Sequence, residues 1–112
     1  MLTMEHCRNE ACLVTFDTNR IDISNIDAVK SRFVDFINEG HNKFALNLSN
    51  VTFLDSAGLG ALISTLRSLK GKGGIALFGV NTNIRSVLKM THMDRIFPIY
   101  NTVDDALDSF TS

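Results

Sequence analysis

Apolar positions recur along the chain at two spacings, and the switch between them lays out the elements. Residues 4–8 and 11–16 read as a hairpin, the second arm carried by Cys12, Leu13, Val14, Thr15 and Phe16, which suit a strand. Over residues 24–39 the spacing lengthens to that of a helix, with Ile26, Val29, Phe33, Phe36 and Ile37 on one face. Ser24 stands at its expected N-cap, Asp27 at the capping-box position and Gly40 at its end. Residues 43–48, with Phe44, Ala45, Leu46 and Leu48, read as a buried strand. Residues 57–70 place Leu59, Leu62, Ile63, Leu66 and Leu69 on a single helical stripe, which Gly71-Lys72-Gly73-Gly74 breaks. Residues 75–80 are continuously apolar, as in a strand covered on both faces. Asn81 or Thr82 opens a third helix with Ile84, Val87 and Leu88 inward. Residues 97–100 form a short edge strand, where Pro98 is tolerated because an edge can spare an N–H. Thr102-Val103-Asp104-Asp105 starts a terminal helix with a capping-box pattern. The order β-β-α-β-α-β-α-β-α predicts one α/β domain: a mixed sheet of about five strands carrying four helices.

Composition narrows the function classes. A chain of 112 residues with 45% apolar content is the size of one domain with a real core. Eleven Lys and Arg against twelve Asp and Glu leave a net charge of −1 and no basic stripe, so nothing favours nucleic acid. No apolar run approaches the roughly 20 residues that span a bilayer, and Met1-Leu2-Thr3-Met4-Glu5-His6 lacks the pattern of a signal peptide. A cytoplasmic protein without direct membrane contact is expected. Cys7 and Cys12 are too few for a disulfide scaffold. A two-residue turn at Asn9-Glu10 would set them opposite each other as a redox pair, although cytosolic cysteines ordinarily stay reduced.

Candidate chemistry concentrates at Ser56, where the strand ending near Leu48 has turned and a helix begins. A hydroxyl there lies among unpaired N–H groups at the positive end of the helix dipole, a place that tolerates a phosphate. Helix capping alone, worth roughly 1 kcal/mol, is the simpler role for a serine at such a place. Its reciprocal partner is missing, because Leu59 rather than Glu or Gln stands three residues on. Gly58 and Gly60 each cost roughly 1 kcal/mol against alanine inside a helix, which makes sense where another protein must approach closely.

Other readings carry less. The hydrolase nucleophile elbow needs glycine two residues before and two after its serine, and Leu54 occupies the first position. His6, His41 and His92 show no metal-ligand spacing with one another or with the cysteines, so no metal and no cofactor is expected. The glycines at 71–74 lack phosphate-loop spacing and precede a strand. Asp104, Asp105 and Asp108 read as helix-end charges rather than a cation site.

From Asn47-Leu48-Ser49 through Asp55-Ser56-Ala57-Gly58-Leu59-Gly60 the chain resembles the STAS domain family, specifically the bacterial anti-sigma factor antagonists. The resemblance continues through Gly73-Gly74, Ile84, Arg85, Val87 and Leu88, then Asp94-Arg95-Ile96-Phe97-Pro98-Ile99-Tyr100 and Asp104-Asp105-Ala106-Leu107. It runs from about residue 4 to residue 110, the core of one STAS-like domain over residues 1–112. What it implies is partner switching. The unphosphorylated antagonist binds an anti-sigma factor that is also a GHKL-type serine kinase, and a sigma factor is released. Phosphorylation on the serine after the motif aspartate, here Ser56, ends the binding, and a PP2C-type phosphatase restores it. Asp22, Asp55, Ser56, Ala57, Gly58, Leu59 and Gly60 are the implied partner-binding residues, and no enzymatic activity is implied. Two departures stand out. Asn19-Arg20-Ile21-Asp22 replaces a Gly-Glu-Leu-Asp-like run, and His92-Met93 replaces a common Gly-Leu. Related outputs of the same domain are docking in a lipid-transport ATPase complex and a phospho-switch acting on a target other than a sigma factor.

Overall fold

A computed structural model describes residues 1–111. In chain order its elements are β1 (Leu2–His6), β2 (Cys12–Phe16), β3 (Arg20–Ile21), α1 (Ile26–Asn38), β4 (Lys43–Asn47), β5 (Phe53–Leu54), α2 (Ser56–Ser68), β6 (Gly74–Phe78), α3 (Thr82–Met90), β7 (Ile99–Tyr100) and α4 (Val103–Asp108). Five strands make a mixed sheet in the order β1-β2-β4-β6-β7, antiparallel between β1 and β2 and parallel elsewhere. The mixed five-stranded sheet and four helices are those the sequence predicts. Two elements are additional: β3 and β5, two residues each, pair in parallel as a separate ribbon. Strands so short present no period to read.

Side-chain alternation along the strands sorts the core into two layers. Val14, Phe16, Phe44, Leu46, Ile75 and Leu77 face Val29, Phe33 and Phe36 of α1, Leu59 and Leu62 of α2, and Ile84 and Leu88 of α3. Phe33 meets Phe36 and Phe44 edge to face, with centroids 5.8 and 5.5 Å apart, the arrangement the ring quadrupole favours. On the other face Ala11, Ala45 and Ala76 make a shallow floor on which Ala106 and Leu107 of α4 sit buried. A six-residue helix does not hold by itself. Burial of those two side chains fixes it, helped by Thr102, whose hydroxyl oxygen accepts from the Asp105 N–H at 3.1 Å. Asp104 and Asp108 each pair with Arg8 at 3.1 Å, exposed contacts that contribute little.

Two local expectations need correction. The turn at Asn9 (φ 63°) and Glu10 (φ 60°) exists, closed by the Ala11 N–H donating to the Arg8 carbonyl at 3.2 Å. The Cys7 N–H also donates to the Ala11 carbonyl, at 2.9 Å. Cys7 and Arg8 therefore both oppose Ala11, a bulge that moves the register by one residue. His6, not Cys7, faces Cys12. Cys12 points into the main core, Cys7 packs on the α4 side, and both thiols are free, so there is no redox pair.

Helix α1 begins at Ile26 with Asn25 in the capping position, and neither Ser24 nor Asp27 caps it. The short polar side chains instead close the preceding loop. Asn25 Oδ1 accepts from the Asp22 N–H at 3.0 Å, Asn25 Nδ2 donates to the Arg20 carbonyl at 2.7 Å, and the Ser24 hydroxyl donates to Asp22. Local bonds of this kind compete with capping.

His92 adopts the left-handed conformation at φ 61°, at the departure from Gly-Leu noted above. A β-carbon there is strained by roughly 1–2 kcal/mol, while glycine loses about 0.5–1 kcal/mol in chain entropy. His92→Gly is expected to stabilise the fold slightly, raising the thermal midpoint by a few degrees in calorimetry. A lowered midpoint would show that the imidazole contributes more than its backbone strain removes.

Candidate functional site

At the carboxyl end of β4 the chain crosses Leu48 and Val51, both buried, into β5. It then reaches Asp55, extended at φ −103° and ψ −176°, the N-cap of α2. Asp55 Oδ1 accepts from the Gly58 N–H at 2.9 Å, and Oδ2 accepts from the Ile23 N–H at 3.1 Å. One carboxylate thus caps α2 and fastens the β3–α1 loop beside it. The capping role weighed for Ser56 belongs to Asp55. Ser56 is the first helical residue, and its side chain is exposed.

Gly58 has a structural cause. A β-carbon there would stand 2.6 Å from the Ile21 carbonyl oxygen and 2.6 Å from Leu54 Cδ1. It is the protein's own β3 that crosses the helix start, so this glycine answers an internal approach rather than an external one. Gly60 differs: it is exposed, and a β-carbon there would meet nothing within 4 Å.

Around Ser56 the surface is partly apolar. Ile23, held by Asp55, is 74% exposed and Phe53 is 47% exposed. The Arg20 guanidinium lies over the Phe53 ring, 5.2 Å from its centroid, a cation–π contact. Asp22, by contrast, is buried, accepting from the Ser24 hydroxyl and N–H and from Arg20 Nε. The Ser24 hydroxyl first, and Arg20 after it, hold the Asp22 carboxyl below its ordinary pKa, against the desolvation that raises it. Of the seven residues implied by resemblance, Ser56 and Gly60 present themselves at the surface and Asp55 and Ala57 partly so. Asp22, Gly58 and Leu59 are buried and position the others. Ile23 and Phe53 carry exposed apolar area that no periodicity marked.

A second grouping joins residues the sequence kept apart. His6, Cys12 and His41 come together at the opposite end of the sheet, the amino ends of β2 and β4. Positions 6, 12 and 41 carry no metal-site spacing, so the absence of a ligand spacing did not mean absence of a cluster. Burial is the main cause that pushes the Cys12 thiol above its ordinary pKa.

The STAS domain family profile matches residues 4–106, and the chain belongs to that family. A Thermotoga neapolitana homologue of the protein TM1081 is 36% identical over 101 residues, covering 88% of this chain and 89% of the relative. The anti-sigma F factor antagonist of Paenibacillus polymyxa is 30% identical over 108 residues, covering 95% and 91%. Among solved structures, an anti-sigma factor antagonist from Mycobacterium paratuberculosis superposes with a TM-score of 0.87 at 25% identity, covering 98% and 92%. SpoIIAA of Bacillus shares the fold in its unphosphorylated and phosphorylated forms alike, with a TM-score of 0.72 and 18% identity in each case. The chain covers 97% and 99% of its own length in these two superpositions, and 96% and 100% of the SpoIIAA chains. No helix among the described residues is long and apolar enough to cross a membrane.

Gly58→Ala is expected to destabilise by about 1–3 kcal/mol through overpacking, and Gly60→Ala to stabilise by up to about 1 kcal/mol through helix propensity. Urea midpoints of the two variants measure the contrast, and equal effects would contradict the assigned contacts. For Asp22 the folded pKa lies below the unfolded one of about 3.9, so its contribution is complete above that pH. It is lost as pH falls through the lowered folded value. The stability gap between wild type and Asp22→Asn should be wide at pH 7 and narrow on acidification below about pH 4. A gap that does not change with pH would remove the carboxylate from the explanation.

Proposed function

We propose that this protein is an anti-sigma factor antagonist working by partner switching, a cytoplasmic binding module rather than an enzyme, with Ser56 as its phosphoacceptor. The observation that carries the reading is the placement of Ser56. Its hydroxyl is exposed on the first turn of α2, on backbone fixed by Asp55, beside the exposed apolar side chains of Ile23 and Phe53. Membership of the STAS family and likeness to named antagonists support the same reading.

In this mechanism the unphosphorylated surface docks on an anti-sigma factor that is a GHKL-type serine kinase, with Ile23 and Phe53 supplying buried apolar area. The sigma factor is thereby released. ATP belongs to the kinase. Transfer of a phosphoryl group to Ser56 places about −1.5 to −2 charges in the contact, next to an Asp55 carboxylate whose two oxygens already accept N–H donors. Docking then requires desolvation of an unpaired dianion, and the complex dissociates. The amino end of α2 holds the modified side chain without unfolding, since anions at that position are favourable. A PP2C-type phosphatase restores the docking surface.

The test is capture from native lysate on wild-type, Ser56→Ala and Ser56→Asp protein, read by mass spectrometry. Wild type and Ser56→Ala should retain a GHKL-type kinase that Ser56→Asp loses, and Ile23→Ala and Phe53→Ala should weaken retention, by up to about 2 kcal/mol for a central anchor. Equal capture of one partner by all three baits would make Ser56 a bystander in a constitutive docking module. Stoichiometric phosphorylation of Ser56→Ala by the captured kinase would move the acceptor elsewhere.

A further inference from the structure

Three side chains of ligand type, remote in sequence, converge at the end of the sheet away from Ser56. The bulge at Cys7 and Arg8 sets His6 directly across from Cys12, so both side chains emerge on the same face. Cys12 pairs onward with Phe44 of β4, three residues beyond His41. The candidate ligand atoms of His6, Cys12 and His41 lie within 4.8 Å of one another. The two imidazoles meet edge to face with centroids 4.8 Å apart. Neither imidazole is engaged in a hydrogen bond among the described residues, and the acidic group nearest them is Glu39, with Oε2 4.0 Å from His41 Nε2. Cys12 is 1% exposed, the His41 side chain 17% exposed and His6 exposed. The thiol is the floor of the cluster, and the imidazoles are walls that open to solvent.

We propose that His6, Cys12 and His41 form a site for one zinc-class divalent ion, with the Glu39 carboxylate or a water molecule as the fourth ligand. One sulfur and two imidazole nitrogens are the donor set that a borderline-soft ion takes, and zinc imposes no further preference from its d electrons. Bonds of about 2.0–2.3 Å around a tetrahedron place ligand atoms roughly 3.3–3.7 Å apart. Closing from 4.8 Å takes a movement of about 1 Å, which rotation of the exposed His6 and a small tilt of the largely buried His41 provide. Glu39 ends α1 with a side chain 60% exposed, free to swing onto the ion or to orient His41 from behind. Binding forms the Cys12 sulfur–metal bond and releases the thiol proton to solvent. The ion would pin the edge strand β1 to the α1–β4 junction, through residues that take no part in the Ser56 surface.

The experiment uses the full chain, reduced and stripped with a chelator, titrated with cobalt(II) and then with zinc(II). One equivalent of cobalt should give the intense visible bands of tetrahedral coordination and a thiolate charge-transfer band in the near ultraviolet, both removed by one equivalent of zinc. His6→Ala and His41→Ala should each weaken zinc binding by at least about tenfold and abolish the zinc-dependent rise in the thermal midpoint. Cys12→Ser should lose the charge-transfer band, and Cys7→Ser should keep it. Should Cys12→Ser fail to fold, the two histidine variants and Cys7→Ser decide the matter. No tetrahedral spectrum, or one unchanged by both histidine variants or lost with Cys7→Ser, would overturn the site. A pair of packed imidazoles over a core thiol would then be its whole role.

Discussion

The arrangement of the Ser56 surface rests on one carboxylate and the absence of one methyl group. Asp55 accepts from the Gly58 and Ile23 N–H groups at once, and Gly58 admits the Ile21 carbonyl into the space a β-carbon would fill. The bare glycine lets β3 cross the first turn of α2, and the carboxylate then bonds both. Remove either and the loop that presents Ile23 loses its anchor on the helix that presents Ser56. The ribbon of β3 and β5 is two residues wide on each side, too little to hold by its own ladder. Its stability is borrowed from the Asp55 bonds, from the burial of Ile21 and Leu54, and from the loop that Asp22 and Asn25 close beneath it.

This clamp divides labour among residues that lie together in sequence. Asp55, Gly58 and Leu59 look inward, and Ser56 and Gly60 look outward. An exposed serine on a fixed backbone can be modified without the fold giving way, because the capping bond belongs to its neighbour. Had Ser56 itself been the cap, a phosphate would have replaced the hydroxyl that held the helix end. The opposite pole of the sheet is built on other terms, by a bulge and a junction between elements, and shares no residue with the Ser56 surface.

Periodicity made the main sheet and the four helices legible, because each has enough residues to show a repeat and buries one clear face. The alternation that reads Phe44 and Leu46 against Ala45 is the same one that separates the two core layers. What escaped was governed by hydrogen bonds of single side chains. Ser24 is as good a cap as Asn25 by type, yet its hydroxyl goes to Asp22. Asp55 and Ser56 are adjacent and both competent to cap, and only the extended backbone of Asp55 decides between them. The bulge at Cys7 has no sequence mark, although it takes Cys7 off the face that Cys12 shares and creates the His6–Cys12 pair. Resemblance found the Ser56 turn but carried buried and exposed residues together, and exposure alone separates Asp22 and Leu59 from Ile23 and Phe53.

The switch proposed at Ser56 need not move the backbone to work. Changing a partner's affinity a hundredfold takes about 2.8 kcal/mol. A dianion stripped of water in an apolar contact, beside a fixed carboxylate, is unfavourable by several kcal/mol. The stabilisation of the same charge by the helix end, typically about 0.3–1 kcal/mol when exposed, acts in the free protein and further favours release. The two effects point the same way: the phosphate is comfortable on the isolated domain and intolerable in the complex. In the proposed switch the rigidity that Asp55 and Gly58 impose would serve the discrimination, because a surface that yielded could turn the charge away from its partner.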